Sequence, residues 1–456
     1  MKLTYKRLSF KYTRFLIGAS MFLFLGCKKE PEIPQFPAGS DESVNTWVLE
    51  NMRNYYFWNA NLPGNPTIQQ SPSSFFESIK NQQDRFSTLM NSKQPETFGY
   101  TLTNTFGFEL MHFQTGGETQ TMVSLVVPQS EAETKGLVRG QAITHINDQA
   151  ISSNNIAALV EQSLQGSSIK LRIEAGGEIE IAASYIAENP VYKASILNVA
   201  GRKVGYLFLN AFEFNGVYDL LQAFENFKAS NINDLIVDMR YNPGGNVPFA
   251  ALLATLIANV NASDVFVEYR GNQQLGNTAS SFLNEFTKQP TGYAFSFEEI
   301  RSRSLGLSRV YLLTGRNTAS AAELLINSLS PYIQTIQIGE QTVGKDMAAV
   351  ELVDNAEPKM APDWTLLPLV YKLYNKAGNG DYPAGLKPDL VVLEYNSLPL
   401  KPFGSEEDLL VQVALEQMGN LNVVRKSERL TGFKNKVLYR SKKLKDRPVV
   451  IQLLKR

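Results

Sequence analysis

The chain has 456 residues, more than one hydrophobic core usually supports, so two or three domains are expected. With 43% hydrophobic and 19% charged residues, and Lys plus Arg matching Asp plus Glu at 44 each, it has no overall basic field. This argues against nucleic acid as a main partner, and a single cysteine excludes an intrachain disulfide.

At the start, Lys2, Lys6, Arg7, Lys11 and Arg14 precede the apolar run FLIGASMFLFLG, which ends at Gly26. The run is roughly half the ~20 residues of a spanning helix, so it reads as a signal-peptide core over residues 1–27. Cys27 directly after Gly26 resembles the lipobox of bacterial lipoproteins, with Phe24 where Leu is usual. That resemblance implies cleavage before Cys27 and its acylation; an ordinary secretory signal is the other reading. Residues 28–42, KKEPEIPQFPAGSDE, are polar and Pro-rich and read as a tether. The expected location is the cell envelope, lipid-anchored, facing the periplasm or on the outer-membrane surface. Lys28 after the cysteine favours the outer membrane by analogy.

Residues 43–98 place apolar side chains at helical spacing, giving a small helical region in which Trp47, Tyr55, Tyr56, Phe57 and Trp58 are packing residues. From 99 to 186 the pattern changes to short alternating runs (TMVSLVVP, QAITHIND, SIKLRIEA, EIEIAA) with one helical stretch, NNIAALVEQSL. This order, with Gly136 and Gly140 in AETKGLVRGQAITHIND, resembles a PDZ domain. The resemblance implies binding of an extended peptide tail by strand addition, the terminal carboxylate meeting loop amides in TFGFEL at Phe106, Gly107 and Phe108.

Residues 187–400 alternate apolar strands and helices, an α/β signature. Three strands run into turns: DLIVDMR into YNPGGN, RVYLLTG into RNTAS, and TIQIGE into QTVGK. If the strands are parallel, all three turns share the carboxyl edge of one sheet, and Ser320 and Lys345 face one crevice. Residues 401–456 open with SEED, a helix-start pattern before LLVQVALEQMG. A basic segment follows, with Arg425, Lys426, Arg429, Lys434, Lys436, Arg440, Lys442, Lys443, Lys445 and Arg447. It reads as a solvated extension or as a surface for membrane head groups or an anionic partner.

Ser320 begins a helix, where outward backbone N–H groups suit a developing oxyanion. SAAE is equally a helix cap, with Ser320 accepting an amide bond and Glu323 returning one. The only histidines, His112 and His145, lie far away in the β region, so a serine nucleophile here needs a base other than His. A lysine serves if burial keeps it neutral, and Lys345 sits where that is possible.

DLIVDMRYNPGG, TASAAE with Lys345 placed 25 residues beyond Ser320, and YPAGLKPDL together resemble the C-terminal processing peptidases, or tail-specific proteases. The likeness runs from about residue 99 to 400, and the WVLENMRNYYFWNANLP segment is similar to lipoprotein members from Bacteroidetes-type bacteria. It implies a ClpP/crotonase-like α/β protease core combined with a PDZ-like β domain. It further implies a serine endopeptidase in which Ser320 attacks the scissile carbonyl, Lys345 moves the proton, and an acyl-enzyme is hydrolysed. The implied oxyanion donors are the N–H groups of Ala321 and of Gly244 or Gly245, with Glu323 supporting. Substrates would be proteins with accessible C-termini. Two positions depart from the family pattern: Asp346 stands where Gly is usual after the lysine, and Ala349 where a Gln supports the base. These keep open a weakly active or inactive tail-binding relative, and, more remotely, a small-ester hydrolase. No cofactor or metal is implied, since one Cys and two separated His form no ligand cluster and no Gly-rich phosphate loop follows a strand. Oligomeric state stays open.

Overall fold

The continuous apolar runs of the α/β region become the centre of a six-stranded sheet. Its order is Leu390–Val391, Gln334–Gly339, Arg309–Thr314, Asp234–Asp238, Arg202–Leu209 and Val191–Val199. The first five run parallel, and Val191–Val199 pairs antiparallel with Arg202–Leu209. Alternate residues leave opposite faces, as the period of two requires. Leu207, Leu209, Leu235, Val237, Val310 and Leu312 pack against helices Val217–Ala229, Val247–Ile257 and Ala321–Leu329. Tyr206, Phe208, Ile236, Tyr311 and Leu313 face the helix Leu409–Met418 instead. Both faces are therefore covered, which is why these strands read as apolar without alternation. Helix Val247–Ile257 is buried along its whole length, matching its unbroken apolar sequence.

This computed structural model describes residues 36–94, 97, 101–419, 435–441 and 450–451, and from Phe36 onward the chain forms one compact unit. The signal peptide, Cys27 and most of the tether lie outside the described residues.

The second β region holds Phe108–Thr115, Glu118–Val126, Ala142–Ile146, Ser168–Ile173 and Glu178–Ala182 in that order, with Gln149–Ala150 beside Ala142–Ile146. Helix Ile156–Leu164 falls where the sequence pattern put it, and a short helix, Glu131–Thr134, precedes Gly136. A seventh strand, Asn435–Arg440, comes from the basic segment and pairs with Phe108–Thr115. The expectation of a solvated extension is thus corrected for these residues. Between the charges, Val437 and Tyr439 supply apolar side chains that two clusters take up. Arg425, Lys426, Arg429, Lys434, Lys442, Lys443, Lys445 and Arg447 lie outside the described residues.

A five-stranded sheet, Asn277–Ser281, Val265–Arg270, Leu369–Tyr374, Met347–Val350 and Val450–Ile451, carries the chain onward from Lys345. The N-terminal helices Asp41–Tyr55 and Pro72–Ile79 bury Trp47, Met52, Tyr56, Phe75 and Phe76 against Trp364 and Leu366. Trp47 and Tyr56 are core residues, whereas Tyr55, Phe57 and Trp58 are half-buried at its margin.

Candidate active site

The three turns expected at one sheet edge meet there. Thr318 Oγ1 donates to the Met239 carbonyl at 2.7 Å, Ala319 N–H to the Asn242 carbonyl at 3.0 Å, and Val343 N–H to the Thr318 carbonyl at 3.0 Å. Asn242 organises the glycine turn: Oδ1 accepts from Gly244 N–H at 2.8 Å, and Nδ2 donates to the Leu209 carbonyl at 2.8 Å. The YNPGG sequence contained this residue, but nothing local marks it as the fastener of the turn.

Ser320 is fully buried and held at φ +62° and ψ −118°, a conformation that costs a non-glycine residue about 1–3 kcal/mol. Its N–H donates to Glu323 Oε2 at 2.8 Å, while Ser320 Oγ has no hydrogen-bond partner. Only Glu323's half of the helix cap is thus made; the strained backbone leaves the serine hydroxyl unspent. Gly244, at φ +105°, lies against this residue so closely that a Cβ there would sit 2.6 Å from Ser320 Cβ and 2.9 Å from Ala321 N. Since Gly244 N–H is taken by Asn242, the two candidate glycines separate. Among the described residues, the N–H groups of Gly245 and Ala321 donate to no protein acceptor.

Glu323 joins the loops that carry Ser320 and Lys345. Its Oε2 also accepts from Lys345 N–H at 2.8 Å, and its Oε1 from Gly344 N–H at 2.7 Å and Thr342 Oγ1 at 2.5 Å. Burial pushes this carboxyl above its ordinary value, and the four donors work in the opposite direction. One buried carboxylate therefore fixes Ser320 and Lys345 relative to each other. Lys345 itself is buried, with Nζ 5.2 Å from the centre of the Phe86 ring.

The N-terminal region completes this wall. Arg85 Nη2 donates to the carbonyls of Val343 at 3.3 Å, Gly344 at 3.2 Å and Pro383 at 2.9 Å. Asp84 Oδ1 accepts from Phe86 N–H at 2.9 Å and Ser87 N–H at 2.8 Å, holding the ring in place. The Arg85 contacts span more than 250 residues, so no local pattern announces them. Ala349 is fully buried among Phe86, Met347 and Leu369, so its side chain brings no polar group to Lys345. Burial raises the Asp346 carboxyl; Lys372 and Asp381 are the charges that act on it most, and its Oδ2 has no hydrogen-bond partner. Tyr382 Oη is likewise buried without a partner, under the influence of Glu323 and Asp346. Buried polar atoms are normally hydrogen-bonded, and Ser320 Oγ, Asp346 Oδ2 and Tyr382 Oη are three exceptions.

A buried ion cluster lies behind the glycine turn. Arg240 binds Asp238 at 2.7 Å, Asp408 at 2.9 Å and Glu394 at 3.2 Å. Arg139, from the second β region, binds Glu394 at 2.7 Å and stacks over Phe403. Burial alone would raise the Glu394 carboxyl, but Arg139 and Arg240 outweigh it and hold it at about 2.

Phe106 and Phe108 are core residues of the second β region, and Gly107 at φ +82° lets the backbone turn between them. His112, on that sheet, contacts Thr121 Oγ1 at 2.8 Å and Ser153 Oγ at 3.0 Å. Among the described residues, no group of three or more His, Cys, Asp or Glu could hold a metal ion.

Comparison with known proteins adds a lineage to this geometry. The profile of peptidase family S41 matches residues 203–392, and that of the peptidase S41 N-terminal domain matches residues 43–88. The chain is 26% identical over 312 residues to the carboxyl-terminal-processing protease of Picosynechococcus sp., covering 64% of this chain and 66% of that one. It is 23% identical over 355 residues to the carboxy-terminal processing protease CtpB of Bacillus subtilis, covering 75% and 67%. A crystal structure of a Bacteroides fragilis protein assigned to the S41 proteases matches with a TM-score of 0.66 and 27% identity, covering 86% of this chain and 99% of that one. The chain spans between 41% and 66% of the length of the first curated relatives it matches.

Proposed function

The chain belongs to peptidase family S41, and from that premise we propose that it is an exported serine endopeptidase with a Ser-Lys dyad. The observation that carries the reading is Ser320: buried, strained, its hydroxyl unspent, and tied through Glu323 to Lys345.

In this reading Ser320 Oγ attacks the scissile carbonyl carbon as Lys345 Nζ takes its proton. The carbonyl oxygen becomes an oxyanion held by the N–H groups of Ala321 and Gly245, both without protein acceptors among the described residues. Collapse expels the amine, which takes the proton from Lys345 and leaves an acyl ester on Ser320. Lys345 then removes a proton from water, whose oxygen attacks the ester, and the acid product leaves with Ser320 reprotonated. The seven-stranded region acts as a PDZ-like module that receives extended C-terminal tails, and Cys27 carries the lipid that keeps the protein at the cell envelope.

Cleavage of an unfolded protein with an apolar C-terminal tail, by the chain starting after Cys27, tests the reading across pH 6 to about 10, below an unperturbed lysine near ~10.4. Activity should rise with pH and vanish in Ser320→Ala and Lys345→Ala. A folded protein that binds the tail and cuts nothing would favour the alternative, a tail-binding relative, which Ala349 in its apolar setting supports. Loss of metabolic fatty-acid labelling in Cys27→Ser tests the anchor.

A further inference from the structure

The edge of the seven-stranded sheet is filled by the far end of the chain. Asn435–Arg440 runs antiparallel to Phe108–Thr115, with Thr115 opposite Asn435, Phe113 opposite Val437, His112 opposite Tyr439 and Met111 opposite Arg440. Pairing continues one residue further: Leu110 N–H donates to Ser441 Oγ at 2.8 Å, and Ser441 N–H to the Leu110 carbonyl at 3.0 Å. The Ser441 hydroxyl also donates to Glu109. The segment therefore advances, in its C-terminal direction, toward the turn at Phe106, Gly107 and Phe108.

Its side chains are used on both faces. A register shift between His112 and Phe113 sends Val437 to Met111, Phe113 and Leu400, and Tyr439 to the cluster of Phe108, Leu110 and Leu159. That cluster joins Phe108 and Leu110 of the strand to Ile156, Leu159 and Val160 of helix Ile156–Leu164, so Tyr439 packs where strand and helix meet. Arg440 reaches the other way, to Glu340 at 3.2 Å. Glu340 begins the loop that ends at Lys345, and it also binds Arg316, from the loop before Ser320, at 2.9 Å.

An extended segment that adds to a sheet edge, points its C-terminal end at the turn and places an aromatic between strand and helix has the geometry of a bound peptide tail. We propose that residues 435–441 are an intramolecular ligand, occupying the edge that takes a substrate tail, so that an extended tail enters only by displacing them. This rests on the tail-receiving role given to the sheet above. The displacing partner is an extended peptide with aliphatic and aromatic side chains and no acidic cluster, matching NKVLYRS. Displacement also releases Arg440 from Glu340, so the loop carrying Lys345 would register that the edge has changed occupant.

The test is binding, so that it does not depend on turnover. Ser320→Ala protein starting after Cys27 is compared with the same protein ending at Gly419, using fluorescence anisotropy of an apolar-ended tail peptide and of a synthetic peptide covering 432–443. A tethered ligand acts at an effective concentration on the order of millimolar, so its removal should tighten tail binding by about tenfold or more. The 432–443 peptide should compete with the tail on the shortened protein. If shortening prevents folding, the double variant Val437→Ala with Tyr439→Ala in the full chain should also tighten binding, whereas exposed Leu438→Ala should not. Equal affinity in long and released forms, or simultaneous binding of both peptides, overturns the inference and leaves tail recognition standing. If folded long and released forms bind no tail peptide at all, both readings fall together.

Discussion

Replacing Glu323 by Gln is the sharpest perturbation of the proposed dyad's geometry that leaves both Ser320 and Lys345 in place. The carboxylate accepts from Ser320 N–H, Lys345 N–H, Gly344 N–H and Thr342 Oγ1. A glutamine keeps one acceptor oxygen. Its best orientation turns that oxygen to Ser320 and Lys345 and its NH2 to Thr342 Oγ1, leaving Gly344 N–H unpaired. An unpaired buried donor costs about 1–3 kcal/mol, and two remaining bonds weaken on losing the charge, so a total of about 2–4 kcal/mol is expected. The penalty is moderated because a neutral amide is cheaper to bury than a carboxylate whose burial already raises it. Unmooring Lys345 should cost activity beyond stability, since displacing a catalytic group by about 1 Å can cost 10²-fold. Urea unfolding gives the first quantity, and steady-state cleavage of a tailed substrate gives the second, with the loss in kcat and not KM. Glu323→Gln with stability within about 0.5 kcal/mol of the parent and kcat within a factor of about three would refute the clamp.

Other outcomes follow from the same geometry. Gly244→Ala forces a Cβ to 2.6 Å from Ser320 Cβ at φ +105° and should reduce kcat at least 10²-fold while the protein still folds, as near-UV circular dichroism would show. Ala349→Gln, which supplies the residue usual in the family, should lose about 1–3 kcal/mol in urea unfolding through overpacking beside Phe86, and should not raise kcat. Glu394 is held at about 2 against an ordinary 4.5, so its contribution is present above pH 4.5 and lost as pH falls towards 2. The full difference corresponds to about 3 kcal/mol, of which about 2 kcal/mol is lost by pH 3, and guanidinium unfolding at pH 7 and pH 3 should show that loss in the parent and not in Glu394→Gln.

What was legible in the sequence is what local physics dictates. DLIVDMR and RVYLLTG had to be buried strands because they are apolar on both faces, TIQIGE alternates as a half-buried strand does, and the helices between them required parallel pairing. From that alone, Ser320 and Lys345 fall at one edge. The supports of those residues are contributed by segments distant in sequence, and no periodicity encodes them. Arg85 crosses to Gly344, Phe86 lies against Lys345 Nζ, and Asn242 ties the glycine turn to Leu209. The strained φ of Ser320 was equally hidden, since SAAE is an ordinary helix cap wherever the backbone lets the hydroxyl turn inward. The basic tail misled for a related reason. Its charges dominate any composition window, while the strand within it depends on Val437 and Tyr439, which pair with Phe113 and His112 on a strand far earlier in the chain. A segment that is unremarkable alone becomes ordered only where another part of the fold presents an unfilled edge. The same condition would let a foreign tail take its place, because the main-chain hydrogen bonds of strand addition are indifferent to which chain supplies the strand.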